Sequence, residues 1–179
     1  MKLNADLLIK ALKFADKAHE GQLRKFQDVP YVWHAISVAK LVEFYKPTSV
    51  NPLLLRIAAL LHDTVEDTDA TLNDIVSEFG FQVASLVDEL TSDKEESNRL
   101  GKTKYLSSKL KHMSSYALTI KLCDRLDNVM DLVMVQDTSF RNKYINETVS
   151  ILMSLEMSRE LTSTQSKIVS KINEVIKYT

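Results

Sequence analysis

With 179 residues, 45% of them hydrophobic and 26% charged, the chain has enough apolar content to bury a core, which excludes a disordered polymer. A formal net charge of −1 gives no global basic field to attract nucleic acid or an anionic membrane, and the single cysteine, Cys123, excludes an intramolecular disulfide framework. The start MKLNADLLIK lacks the long apolar run of a signal peptide or membrane span, so the expected setting is a reducing cytoplasm with neither nucleic acid nor membrane as partner.

Three glycines and three prolines are the only strong punctuation, and apolar residues recur at intervals of three and four. An all-α fold follows, expected as a single domain over residues 1–179. Asn4 is placed to cap a first helix whose apolar positions Leu7, Leu8, Ala11, Leu12, Ala15 and Ala18 run to Gly21. Residues 21–29 are too polar and irregular to continue it, which leaves Arg24 and Lys25 in a loop, and Pro30 suits the first turn of a second helix. On that helix Tyr31, His34, Val38 and Leu41 share one face, so His34 points toward the core, either as a ligand or as a core histidine satisfied by backbone or water.

Pro52 opens a third helix that is apolar on nearly every side and ends in His62-Asp63-Thr64-Val65-Glu66-Asp67. A buried carboxylate must be paired or metal-bound, so a cation is one explanation of His62 beside Asp63; a helix C-terminus with ordinary capping charges is the other. Glu66 and Asp67 fall in the connection to a helix that Thr71 caps and Gly80 ends. A further helix is expected over 81–90, then a charged surface loop over 91–98, then helices over 102–112 and from Ser115 onward. Asp124 and Asn128 lie one turn apart on the last of these. Amphipathic helices near 140–161 and 163–178 carry no evident chemistry and read as scaffold.

His34, His62, Asp63 and Asp124 come from three separate elements, and a helical bundle can aim such side chains at one ion. Two imidazoles and two carboxylates suit manganese, iron or zinc, and a set without thiolate does not suit a closed structural zinc site. A divalent ion with open positions acidifies water and polarises a phosphoryl oxygen, which points to hydrolysis of a phosphate bond.

Four segments then carry a resemblance: AHEGQLRKFQDVPYVWHAISVA (18–39), AALLHDTVEDT (58–68), VDELTSDK (87–94) and IKLCDRLDNVMDL (120–132). In that order and at those separations they resemble the HD phosphohydrolases, specifically the Rel/SpoT-type small alarmone hydrolases. The resemblance implies an all-helical HD fold with its motifs within 18–132 and residues 138–179 as scaffold. It also implies hydrolysis of guanosine 3′,5′-bis(diphosphate), or the pentaphosphate, to GDP or GTP and pyrophosphate, usually with manganese. It makes His34, His62, Asp63 and Asp124 the expected metal ligands and Glu66 and Asp67 the expected catalytic pair. Arg24 and Lys25 match the family's basic pair, Asn128 its nucleotide-facing asparagine, and Tyr31 is expected to line the same cavity. A guanosine nucleotide is thus the expected partner.

Three positions depart from the pattern. The loop at Phe26-Gln27-Asp28-Val29 lacks the usual glycine, Ala35 replaces a proline common after the ligand histidine, and Met130 stands where many relatives have arginine. No synthetase-like segment follows, so degradation is the expected direction. The alternatives are a related phosphohydrolase for another nucleotide or a phosphorylated cofactor, separable by product analysis, and a binding module with degenerate chemistry. His19 and His112 have no motif support as ligands and read as helix-terminal or surface residues, and Cys123 is expected to pack rather than react.

Overall fold

The structure is a computed structural model that describes residues 2–179, with side chains from Ala5 onward. Among the described residues there is no strand, only one isolated bridge between Leu23 and Pro30, and the chain falls into two compact units that meet in sequence at Thr91 and Ser92.

The first unit begins with α1 (Lys2–Ala18), which buries Ala11 and Ala15 completely. Asn4 lies inside α1 and not ahead of it, because Lys2 and Leu3 are themselves good helix formers; its side chain is outside the described residues. α2 (Val32–Tyr45) buries Val32, His34, Ala35, Val38, Ala39 and Val42. Pro30 sits one residue before the cap position Tyr31 and not in the first helical turn, because its backbone is held in the bridge to Leu23 while the Tyr31 N–H donates to the Gln22 carbonyl at 2.9 Å. α3 (Pro52–Leu61) starts on its proline as expected and buries every residue from Ile57 to Leu61.

One turn of helix, α4 (Thr64–Asp67), follows. Glu66 and Asp67 therefore lie on a helical turn and not in an irregular connection. The Thr64 hydroxyl caps the Leu61 carbonyl at 2.7 Å and the Asp67 N–H donates to the Asp63 carbonyl at 2.9 Å, so the backbone continues to bond helically past the end of α3. α5 (Leu72–Phe79) has a full capping box between Thr71 and Asp74, and hydrogen bonds from Thr71 hold the Asp74 carboxyl below its usual range. Gly80, at φ 85°, turns the chain into α6 (Phe81–Leu90). α3 packs on α1, α2 and α6, which makes it the central element of this unit.

The second unit begins with a helix that the sequence does not signal. Lys94–Leu100 forms a helix, α7, where the sequence suggests a loop. It buries no residue, so it has no apolar period to read, and local polar chemistry holds it: Asp93 caps Glu96 N–H at 2.9 Å, and Arg99 pairs with Glu96 at 3.1 Å. α8 (Lys102–His112), α9 (Ser115–Met130), a 3-10 turn over Asp131–Met134, α10 (Thr138–Ser158) and α11 (Ser163–Lys177) complete it. α8 packs on α10, and α9 on α11. Arg159 donates to the Met113 carbonyl at 2.7 Å just beyond the end of α8, and the buried Gln165 closes the capping box of α11 while donating to the Ser115 carbonyl at 3.1 Å. No helix among the described residues is long and apolar enough to cross a membrane.

Candidate functional site

In the first unit, His34, His62 and Asp63 come together. α2 carries His34 on its buried side, and the end of α3 delivers His62 and Asp63 into the interior, all three less than a tenth exposed. His62 Nε2 lies 3.0 Å from Asp63 Oδ2, His34 Nε2 lies 3.6 Å from the same oxygen, and the two rings stand 5.1 Å apart. His62 Nδ1 is 2.8 Å from the Ala59 carbonyl. A carbonyl oxygen can only accept, so Nδ1 carries a proton and Nε2 is the nitrogen that faces the carboxylate. A proton or a cation between Nε2 and Oδ2 satisfies both atoms, and the Nδ1 bond to a backbone carbonyl is the arrangement that orients an imidazole toward a metal. The donor set fits a divalent ion on chemistry as well as geometry, being two nitrogens and one oxygen.

Tyr31 is brought to this cluster by its hydroxyl, which donates to Asp63 Oδ2 at 2.5 Å. Its ring stacks at a tilt on His19, with centroids 4.6 Å apart, and stands edge-on to His34 at 5.5 Å. His19 follows the end of α1 and is buried, with Nδ1 2.9 Å from Gln22 Oε1, while Gln22 Nε2 donates to the Asp67 carbonyl at 3.0 Å. One chain of contacts thus ties the block after α1 to the turn carrying Glu66 and Asp67. Sequence reasoning missed His19 and Gln22 as parts of this frame; their only signal was membership in the AHEGQ block.

Glu66 is half-buried and Asp67 exposed. Arg24 and Lys25 are in a loop as expected, Arg24 buried and Lys25 exposed with Nζ 5.3 Å from the Phe26 ring centre. The loop is a tight turn: the Gln27 N–H donates to the Arg24 carbonyl at 3.1 Å, and the Arg24 N–H donates to Val29 at 2.8 Å. Phe26, at φ 67°, occupies the left-handed position such a turn normally gives to glycine, and no other described non-glycine residue has positive φ.

In the second unit, Asp124 is buried on α9. Asn128, one turn on, donates to Asp124 Oδ1 at 2.5 Å and to its carbonyl at 3.0 Å, so the shared face expected of this pair is present. Lys121, which sequence reasoning also missed, lies 2.9 Å from Asp124 Oδ2. Its signal is the three-residue spacing in Lys121-Leu122-Cys123-Asp124. Cys123 is fully buried, and burial together with the Asp124 charge pushes its thiol well above the ordinary range, which fits packing and not nucleophilic chemistry.

The HD domain family model matches residues 11–160, a stretch that runs through both units. The chain belongs to the HD-domain family. Within that family it is similar to human guanosine-3′,5′-bis(diphosphate) 3′-pyrophosphohydrolase MESH1, at 38% identity over 133 residues covering 74% of this chain and 73% of the human protein. The Xenopus tropicalis protein of the same name is 30% identical over 176 residues, 98% of this chain and 96% of its own length. The guanosine-3′,5′-bis(diphosphate) 3′-pyrophosphohydrolase of Aquifex aeolicus is 36% identical over 162 residues, 85% of this chain but 21% of that protein. A solved structure of a metazoan ortholog of SpoT that hydrolyzes ppGpp superposes with a TM-score of 0.80 at 30% identity, covering 96% of this chain and 94% of that one. This HD-domain chain is therefore of the MESH1 and SpoT type, as its four motifs imply.

Proposed function

We propose that this HD-domain protein hydrolyses guanosine 3′,5′-bis(diphosphate), or the pentaphosphate, at the 3′ position, releasing pyrophosphate and GDP or GTP, in the cytoplasm and as one HD domain built from both units. The observation that carries the proposal is the convergence of His34 Nε2 and His62 Nε2 on Asp63 Oδ2, one turn before Glu66 and Asp67. His34, His62, Asp63 and Asp124 would hold a divalent ion, manganese in this reading. When bound, such an ion supplies Lewis acidity toward a phosphoryl oxygen and acidifies water.

The chain's own residues do the rest. Glu66 and Asp67 orient or deprotonate the attacking water, whose oxygen bonds to the inner phosphorus of the 3′-diphosphate as the P–O3′ bond breaks and the 3′ oxygen leaves with a proton. Tyr31 and Asn128 hold the carboxylates of Asp63 and Asp124 in one orientation each through the hydrogen bonds given above. Arg24 offers a planar guanidinium to the guanine base and Lys25 an ammonium to phosphate. Burial of Arg24 in a turn closed at both ends supports a fixed role in binding.

The test is a manganese-supplemented nucleotide panel with products identified. Stoichiometric pyrophosphate and GDP from the tetraphosphate is the expected result. Release of single phosphates contradicts the 3′ cut, and cleavage of a different nucleotide with the alarmone left intact keeps the hydrolase class and removes the substrate.

A further inference from the structure

The helical turn that carries Glu66 and Asp67 is too short to hold itself. α4 has four residues, and a helix of that length fixes the dihedrals of a nucleus with few bonds to offset the lost entropy. Side chains supply further bonds. Thr64 Oγ donates to the Leu61 carbonyl at 2.7 Å at the start of the turn, and Thr68 Oγ donates to the Thr64 carbonyl at 2.6 Å from beyond its end. At Thr68 the backbone is extended, with φ −138° and ψ −178°, so the helix stops there and the Asp67 carbonyl is one of its terminal acceptors. A bond to that carbonyl comes from 45 residues earlier in the chain, from Gln22 Nε2 at 3.0 Å.

Gln22 is itself held in place. Its N–H donates to the His19 carbonyl and its own carbonyl accepts from the Tyr31 N–H, both at 2.9 Å. The orientation of its side chain follows from its two partners. The Asp67 carbonyl can only accept, so the amide nitrogen faces it. Oε1 then faces His19 Nδ1 at 2.9 Å, and since an amide oxygen also can only accept, Nδ1 carries a proton. His19 is buried, with its ring against Tyr31. A flipped amide would set oxygen against oxygen at Asp67, so a buried histidine fixes which end of the Gln22 amide reaches the turn.

We propose that Gln22 is a positioning residue for the hydrolysis, acting through the Asp67 carbonyl to hold the α4 turn where the Asp67 carboxylate meets the attacking water. The inference rests on the reading of Asp67 as catalytic and extends it to a residue on a different segment. Carbonyl and carboxylate belong to one residue, so a turn that unwinds at its last position carries the carboxylate away, and a misplacement of about 1 Å at a reacting group costs on the order of a hundredfold in rate. The Gln22 bond is open to water, which limits its net worth to that of an ordinary hydrogen bond. Its loss therefore raises the share of molecules with a loosened turn and does not displace the turn in all of them.

Two variants of the full chain test the assignment. Gln22→Leu removes both side-chain bonds, whereas Gln22→Glu keeps an acceptor for His19 but turns toward the Asp67 carbonyl an oxygen with no hydrogen to give. Both should lower kcat about threefold to tenfold on the nucleotide that the panel identifies. KM should change little, since the backbone bonds of Gln22 at the base of the Arg24 loop survive either substitution. In an Asp67→Asn background neither should add to the loss, because the group being positioned is already gone. Amide hydrogen exchange gives a readout that needs no activity. The Asp67 N–H, bonded to the Asp63 carbonyl, should exchange about threefold to tenfold faster in both variants, while the amides of residues 57–61 in α3 keep their wild-type rates. Wild-type kcat in Gln22→Glu, an additive loss in the Asp67→Asn background, or a loss carried by KM overturns the assignment. Faster exchange that spreads into α3 makes Gln22 a general stabiliser of the fold and overturns it too. Normal turnover in Asp67→Asn alone is the failure of the catalytic reading of Asp67 and takes the assignment with it; turnover lost there but kept in Gln22→Glu is the failure of this inference alone.

Discussion

Asp63 in the first unit and Asp124 in the second are both buried, yet their surroundings balance them differently. Asp63 Oδ2 faces two imidazole nitrogens and a tyrosine hydroxyl, and the imidazole nitrogens can share a cation with it. Asp124 already has Lys121 at 2.9 Å, with more cations behind it. An ammonium beside a carboxylate competes with a metal for its oxygens, whereas imidazole nitrogens can bind the same metal.

The largest test of this contrast is removal of the cluster itself. His62→Ala and Asp63→Asn should each lose bound metal and activity together, read by elemental analysis and by turnover, with circular dichroism confirming a folded chain. Metal content equal to wild type in both would break the contrast at its first member. Glu66→Gln and Asp67→Asn come next. They lie beyond the ligands on α4, so metal should stay while turnover falls on the order of a hundredfold. Near-normal rates in both would return them to the surface.

Tyr31→Phe removes a single hydroxyl and leaves the ring against His19. Metal affinity should drop by about tenfold, at the lower end of the range for losing an outer-shell partner, and a chelator competition assay reads it. Lys121→Met should act in the opposite direction, a few-fold gain in metal affinity, because it removes the cation competing for Asp124; a loss in the same assay would mean that Lys121 holds the carboxylate in its binding pose. Phe26→Gly is the smallest effect. Left-handed φ at a non-glycine residue costs about 1–2 kcal/mol, part of which glycine's extra chain entropy and the lost contact with Lys25 offset, leaving a net gain of about 0.5 kcal/mol. The melting temperature should rise by about 1–2 °C, and a fall would show that the Phe26 ring contributes more than the turn strain costs.

The sequence by itself determined the helical class and the helix starts at Pro52 and Thr71, and it supplied the spacing of the His-Asp motif, because helical period, capping chemistry and motif spacing are all properties of neighbours along the chain. It did not reveal α7, which has no buried face to set a period, nor the true register of Pro30, which a bridge to Leu23 fixes. His19 and Gln22 looked incidental for the same reason, since their partners Tyr31 and Asp67 are brought to them by folding. The cations beside Tyr144 are the clearest case. Lys102 reads in sequence as part of a charged helix face or as a phosphate contact, Arg125 and Tyr144 carry no signal of their own, and only packing in three dimensions sets two charges against one ring. Charge is read along a sequence as a local pattern, but Coulomb energy depends on distance through space, and that distance only the tertiary structure decides.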